Sequence, residues 1–157
     1  MNDVSGWETI AHHVTLNMGP WKGDPAQIGQ WFPIEISGLA MDDKVMAVSV
    51  NLPNGPMSKN AQPHITIAVN REAGGKPAMS NKLQWGNVTP VFVVTEGQLV
   101  EAGSYTGLVL SAEGHETLVN IINNLGFNLS PNLAQNPGFS TKVKSESLLR
   151  MFIRSLL

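Results

Sequence analysis

The chain has no cysteine among its 157 residues. Disulfides and thiolate metal sites are therefore excluded, and a cytoplasmic setting is favoured. Charge is scarce as well. Lys, Arg, Asp and Glu make up 14% of the residues, 10 basic against 12 acidic, for a formal net charge of −2. A broad duplex-binding surface needs a basic face, and this balance argues against one; a grip on one phosphate, or on the end of one strand, stays open. No run is long enough to span a membrane. The opening MNDVSGWETI lacks the basic region and apolar stretch of a signal peptide. No solenoid-length repeat and no low-complexity segment occurs. What is present is a hydrophobic fraction of 42% in a length suited to one domain, 1–157.

Periodicity divides the chain into short elements. Residues 11–18 read as a strand. A short helix is expected over 24–31, with Asp24 as N-cap and Pro25 at its first position. Residues 32–40 and 45–52 alternate around the turn 41–44 and predict a β-hairpin. A polar loop over 53–62 leads into a strand over 63–69, and a second loop over 71–82 carries a helical turn near 80–85. Strands follow over 90–95 and 105–111. A helix over about 112–125 carries the stripe Leu118, Ile121, Ile122 and Leu125 and is stopped by Gly126. A last helix is expected over about 145–157, with Leu149, Phe152, Ile153 and Leu156 as its apolar stripe.

Two of the four histidines stand in one pattern, His-apolar-Thr-apolar: HVTL from residue 13 and HITI from residue 64. Random placement of four His and eight Thr in a chain of 157 gives roughly 0.2 His-x-Thr triplets. Both copies lie in β-branched runs. Side chains at i and i+2 of a strand share a face. His13, Thr15 and Asn17 thus point one way, and Val14, Leu16 and Met18 the other. Likewise His64, Thr66 and Ala68 oppose Ile65, Ile67 and Val69. Two such strands side by side gather two imidazoles and two hydroxyls around one cleft.

A single strand His beside a Thr is more often structural, and it is the second copy in matching frame that shifts the balance. Zinc is disfavoured, because Thr is a poor ligand and no carboxylate stands at helpful spacing. A serine triad is disfavoured too, since no Gly-x-Ser-x-Gly turn occurs. The arrangement suits phosphoester chemistry without a metal or other cofactor. Imidazole titrates near neutrality, so one His can take a proton from water while the other gives one to a leaving oxygen. The hydroxyls can donate to non-bridging phosphate oxygens. With unperturbed imidazoles near 6.5 the optimum falls at roughly pH 6–7.5. His12 faces the core side of its strand and is expected to be structural or hydrogen-bonded near the surface. His115, at the start of a helix, is expected to be solvated.

These paired motifs resemble those of the two-histidine phosphoesterase superfamily, and in particular the cyclic phosphodiesterase domain of fungal-type tRNA ligases. The resembling stretches are HHVTL (12–16), DDKVMAVSVNLP (42–53), PHITIAV (63–69) and GKPAMSNKLQW (75–85), within about the first 85 residues. The resemblance implies an α+β, bilobal fold, two antiparallel sheets lining a central cleft with helices outside. The motif-bearing part spans about 1–86; the C-terminal part, about 87–157, has no such likeness and carries the two helices that periodicity predicts. It implies His13 and His64 as the catalytic pair and Thr15 and Thr66 as phosphate ligands. It also implies metal-independent opening of 2′,3′-cyclic phosphates, on RNA ends or small cyclic nucleotides, to 2′-phosphates. Some phage members of the superfamily destroy cyclic oligonucleotide signals, an alternative use of the same His/Thr pairs. A rival of another class is a non-catalytic viral structural or assembly protein, which the abundance of Asn, Gly and Pro in the loops suits.

Around the motifs, Trp21 could stack a base and Lys22 meet a phosphate, against the plainer role of a packed loop anchor. Ser80, Asn81 and Lys82 follow the second motif strand and are candidate substrate contacts or simply turn residues. Lys142, Lys144, Arg150 and Arg154 form a basic stretch that is expected to be a solvated helix face rather than an RNA grip.

Overall fold

A computed structural model describes residues 3–130 of the chain. Seven strands and one α-helix follow one another: β1 (Glu8–Thr9), β2 (His13–Asn17), β3 (Trp31–Met41), β4 (Val45–Asn51), β5 (His64–Val69), β6 (Thr89–Glu101), β7 (Thr106–Leu110) and α1 (Ala112–Asn124). Every pairing is antiparallel, in the order β1-β5-β2-β7-β6-β3-β4. Strand β4 then pairs back onto β5, which closes six strands into a barrel and leaves β1 beside the far end of β5.

The α+β character holds, but the described strands make one closed sheet and not two sheets framing a cleft. The register slips that curl it are visible. β3 shifts against β4 and β6 between Ile36 and Gly38, and β4 shifts against β5 between Met46 and Ala47. Such bulges bend a strand, and closure removes the unpaired edges that two open sheets would expose.

The alternation in β4 shows how the barrel is filled. Met46, Val48 and Val50 point inward with Val14, Leu16, Ile34, Ile65, Ile67, Leu99, Leu108 and Leu110, all buried in one cluster. Helix α1 adds Leu118, Val119 and Ile122 to it. Val45 and Ala47 face outward into a second cluster with Ala40, Val69 and Leu83, on which Ile10, Met79, Trp85 and Val88 pack. The segment 77–88 is therefore strapped over the outside of the barrel by apolar contacts, and each Leu or Ile so buried contributes roughly 1.5–3 kcal/mol.

Local chemistry explains where the elements differ from expectation. The strand expected over 11–18 starts only at His13, after Ala11, whose φ is +46°, and a short β1 not expected from the sequence precedes that break. Met18, expected inside, is 75% exposed, because β2 slips against β7 between Thr15 and Asn17 and ends there. The helix over 24–31 is only a 3₁₀ turn at Pro25–Gln27; Asp24 accepts from Ala26 N–H at 2.9 Å as an N-cap should, but Trp31 is already paired in β3. The turn expected near 80–85 is a 3₁₀ turn at Pro77–Lys82. Strand β6 continues through EGQ, where a turn composition hides a strand. Gly97 is needed there because a β-carbon would lie 2.9 Å from Leu108 Cβ. A slip in β5 also turns Ala68 inward and Val69 outward, the reverse of simple alternation. In α1, capped by the Ser111 hydroxyl, Val119 replaces the 42%-exposed Leu125 in the buried stripe. The helix expected over 145–157 and the basic stretch 142–154 lie outside the described residues. No described helix is long and apolar enough to cross a membrane.

Candidate active site

Strands β2 and β5, remote in sequence, lie side by side with Val14 paired to Ile65. One step along each antiparallel strand brings His13 across from Thr66 and Thr15 across from His64, related by the local two-fold axis of the pair. Val14 and Ile65 are fully buried in the barrel. The four flanking side chains therefore face outward together, and all four line one cavity of about 450 Å³. Its remaining wall comes from the strap (Pro77, Ala78, Asn81), from Ser104 and Tyr105 ahead of β7, and from Ile10, Met18 and Asn60.

Each imidazole is held on two sides. The His64 Nδ1–H donates to the Gln62 carbonyl at 2.7 Å, and its ring stacks on Trp85 at 5.6 Å. A carbonyl can only accept, so the neutral ring carries its lone pair on Nε2. The His13 ring stacks on Tyr105 at 4.4 Å, with Nε2 3.1 Å from Thr15 Oγ1 and Nδ1 3.0 Å from His12 Nδ1. Thr66 Oγ1 lies 2.8 Å from the fully buried Ser80 Oγ. Behind His13, Gly107 of β7 is a close approach: a β-carbon there would lie 2.6 Å from the Val14 carbonyl oxygen and 3.3 Å from His13 Cδ2.

Of the residues singled out in sequence, His13, Thr15, His64, Thr66 and Asn81 share the cavity. Ser80 sits beneath Thr66 rather than in the wall. Trp21 is the packed anchor: its N–H donates to Glu101 at 2.6 Å, its indole N–H to the Asp24 carbonyl at 3.1 Å, and its ring packs on the barrel core. Lys22 and Lys82 are exposed and line no part of the cavity. His12 is half-buried against His13 and not part of the barrel core. His115 corrects the expectation of a solvated side chain: it is wholly buried, with Nδ1 3.1 Å from the Ala11 carbonyl. Tyr105, Trp85 and Gln62 were missed, because only the non-local pairing of β2 with β5 and β7, and the fold of the strap, bring them to the histidines.

Both site histidines favour the neutral form. Burial, then the neighbouring His12 and His64, pushes His13 down to about 4. Burial also lowers His64, against the Gln62 carbonyl, which favours its charged form. Tyr105 is pushed up by burial and keeps its proton. Among the described residues no Lys, Arg, Asp or Glu lines the cavity, and no cluster of three or more His, Asp or Glu could hold a metal ion. The arrangement can exchange protons at two ring nitrogens and donate hydrogen bonds from two hydroxyls around one small anionic group.

The profile of a protein family described as the fungal tRNA ligase phosphodiesterase domain matches residues 6–99, more than half of the chain. The match takes in both His-Thr strands, the hairpin between them, the strap and most of β6. No curated protein and no solved structure matches the chain.

Proposed function

The chain belongs to the fungal tRNA ligase phosphodiesterase domain family, and from that premise we propose that it opens 2′,3′-cyclic phosphates, on RNA ends or small nucleotides, to 2′-phosphates. The observation that carries the reading is the convergence of His13, Thr15, His64 and Thr66 on one cavity. A cyclic phosphate between the two strands meets a hydroxyl and an imidazole on each side. Thr15 and Thr66 donate to its non-bridging oxygens, whose charge grows in the transition state. One imidazole takes a proton from the attacking water and the other gives one to the departing 3′ oxygen. The new bond is P–O from water, the broken bond is P–O3′, and no metal enters. A cavity of about 450 Å³ suits a terminal nucleotide. The formal net charge of −2 favours a grip on one phosphate over a long RNA track.

The test is incubation with nucleoside 2′,3′-cyclic monophosphates in EDTA, followed by phosphorus NMR. A 2′-phosphate product is expected, with turnover lowered about 10²- to 10⁴-fold in His13→Ala or His64→Ala. A double-His variant as active as the parent, or strict dependence on added divalent metal, would refute the mechanism. A 3′-phosphate product would mean that the leaving oxygen is the 2′. Linearisation of a cyclic oligonucleotide without any opening of 2′,3′-cyclic phosphates would keep the histidine chemistry and remove the RNA-end substrate.

A further inference from the structure

The two His-Thr strands are related by a local two-fold axis, yet their histidines are backed differently. His64 Nδ1 meets a backbone carbonyl at 2.7 Å, whereas His13 Nδ1 meets another imidazole, that of His12, at 3.0 Å. We propose that His12 is a positioning residue: it accepts the His13 Nδ1–H, fixes the lone pair of His13 on Nε2, and so makes His13 the base and His64 the acid. The inference rests on the phosphodiesterase reading.

The backbone around His12 is built for this contact. Side chains of consecutive residues in a regular strand point to opposite faces. His12 lies outside the regular strand, between the first residue of β2 and Ala11, a non-glycine residue with φ of +46°. That conformation is disfavoured and persists where its surroundings hold it. Two bonds hold it here: Ala11 N–H donates to the Thr66 carbonyl at 3.0 Å, and the wholly buried His115 of α1 reaches the Ala11 carbonyl at 3.1 Å. His115, the Ala11 carbonyl, His12 and His13 thus follow one another from α1 through the break to the cavity.

The unequal backing decides the roles. A protonated His64 keeps a charge-assisted bond to the Gln62 carbonyl. A protonated His13 would rest against a ring nitrogen, a weaker partner for a cation, with a second imidazole facing it across the site. The groups acting on His13 are His12, His64 of β5 and the un-ionised Tyr105 ahead of β7; His12 in turn acts on His115 of α1, which also feels Glu116. In turnover His13 Nε2 takes the proton of water while His64 Nε2–H protonates the leaving oxygen. Both histidines then exchange protons with solvent to reset.

The experiment compares wild type, His12→Ala and His12→Asn by pH-dependent kinetics on a 2′,3′-cyclic nucleotide and by long-range ¹⁵N–¹H spectra of the ring nitrogens. The Asn side-chain oxygen sits near the place of Nδ1 and can accept the same bond. Expected are an Nδ1–H tautomer at His13 in wild type and His12→Asn, and a mixture in His12→Ala. His12→Ala should lose about tenfold in kcat at little cost in KM, and His12→Asn should recover most of the loss. An Nε2–H tautomer in wild type, an unchanged tautomer in His12→Ala, or an Asn variant no better than Ala would overturn the role of His12. Should the tautomers behave as stated while wild type opens no cyclic phosphate, the positioning stands and the phosphodiesterase reading falls.

Discussion

The pH dependence of kcat/KM is the sharpest consequence of the site. Ordinary imidazoles would put the optimum at roughly pH 6–7.5, but both rings here are displaced downward. His13 stands at about 4, and His64 lies below its usual 6.5. Catalysis in the free enzyme needs the base neutral and the acid protonated, so the productive form dominates between those two values. The optimum should fall between about pH 4 and pH 6.5, below the ordinary range, and on its alkaline side kcat/KM should drop tenfold per unit as His64 loses its proton. The kcat profile should sit at higher pH than that of kcat/KM, because a bound phosphate anion favours imidazolium and raises His64. Initial rates with a 2′,3′-cyclic nucleotide across pH 4–9, with folding checked at each pH, measure both profiles. An optimum for kcat/KM at or above about pH 7.5 would refute the reasoning, since it requires histidines unaffected by the burial seen here.

Stability should move with pH in the opposite sense to the activity optimum. His13, His64 and His115 are all lowered by burial, so the unfolded chain binds more protons below about pH 6.5. Stability is then full above that value and lost as pH falls toward about 4, with His13 contributing up to about 2–3 kcal/mol; urea unfolding at pH 7 and pH 5 measures it, and an unchanged midpoint counts against the buried neutral rings. Thr66→Ala should lower kcat, and Ser80→Ala should lower it less while costing about 1–2 kcal/mol of stability, because Ser80 acts through its 2.8 Å bond to Thr66; equal kinetics in Ser80→Ala and wild type would show that Thr66 needs no such support. Gly107→Ala should abolish most activity and cost at least about 2 kcal/mol, since the new methyl must displace the Val14 carbonyl or the His13 ring; a fully active, stable variant would show that β7 yields at no cost.

The legible part of this protein is the part that depends on strand period alone. HVTL and HITI each give an inward aliphatic pair and an outward imidazole and hydroxyl, and the barrel uses them so. The triplet itself carries little. His115, Glu116 and Thr117 repeat it on α1, where i and i+2 share no face, and its histidine anchors the Ala11 turn instead. Trp21 and Lys22 were plausible substrate contacts by residue type and by nearness to a motif. Neither property says which way a loop side chain packs, and Trp21 is committed to Glu101, Asp24 and the core.

The illegible part is non-local. Nothing near residue 13 announces Tyr105 or Gly107, which arrive only when β7 pairs with β2. Trp85 reaches His64 because the strap 77–88 follows the apolar outer face of β4, a strand buried on both sides for that reason. The difference between the two histidines is non-local too. Closing the barrel brings the break at Ala11 under α1, where His115 grips it, while the His64 strand starts after Pro63 and its Nδ1 meets a carbonyl two residues back. Two sequence motifs alike in pattern thus acquire unlike proton affinities from the fold around them, and a pair of acid–base groups needs that inequality to divide its work.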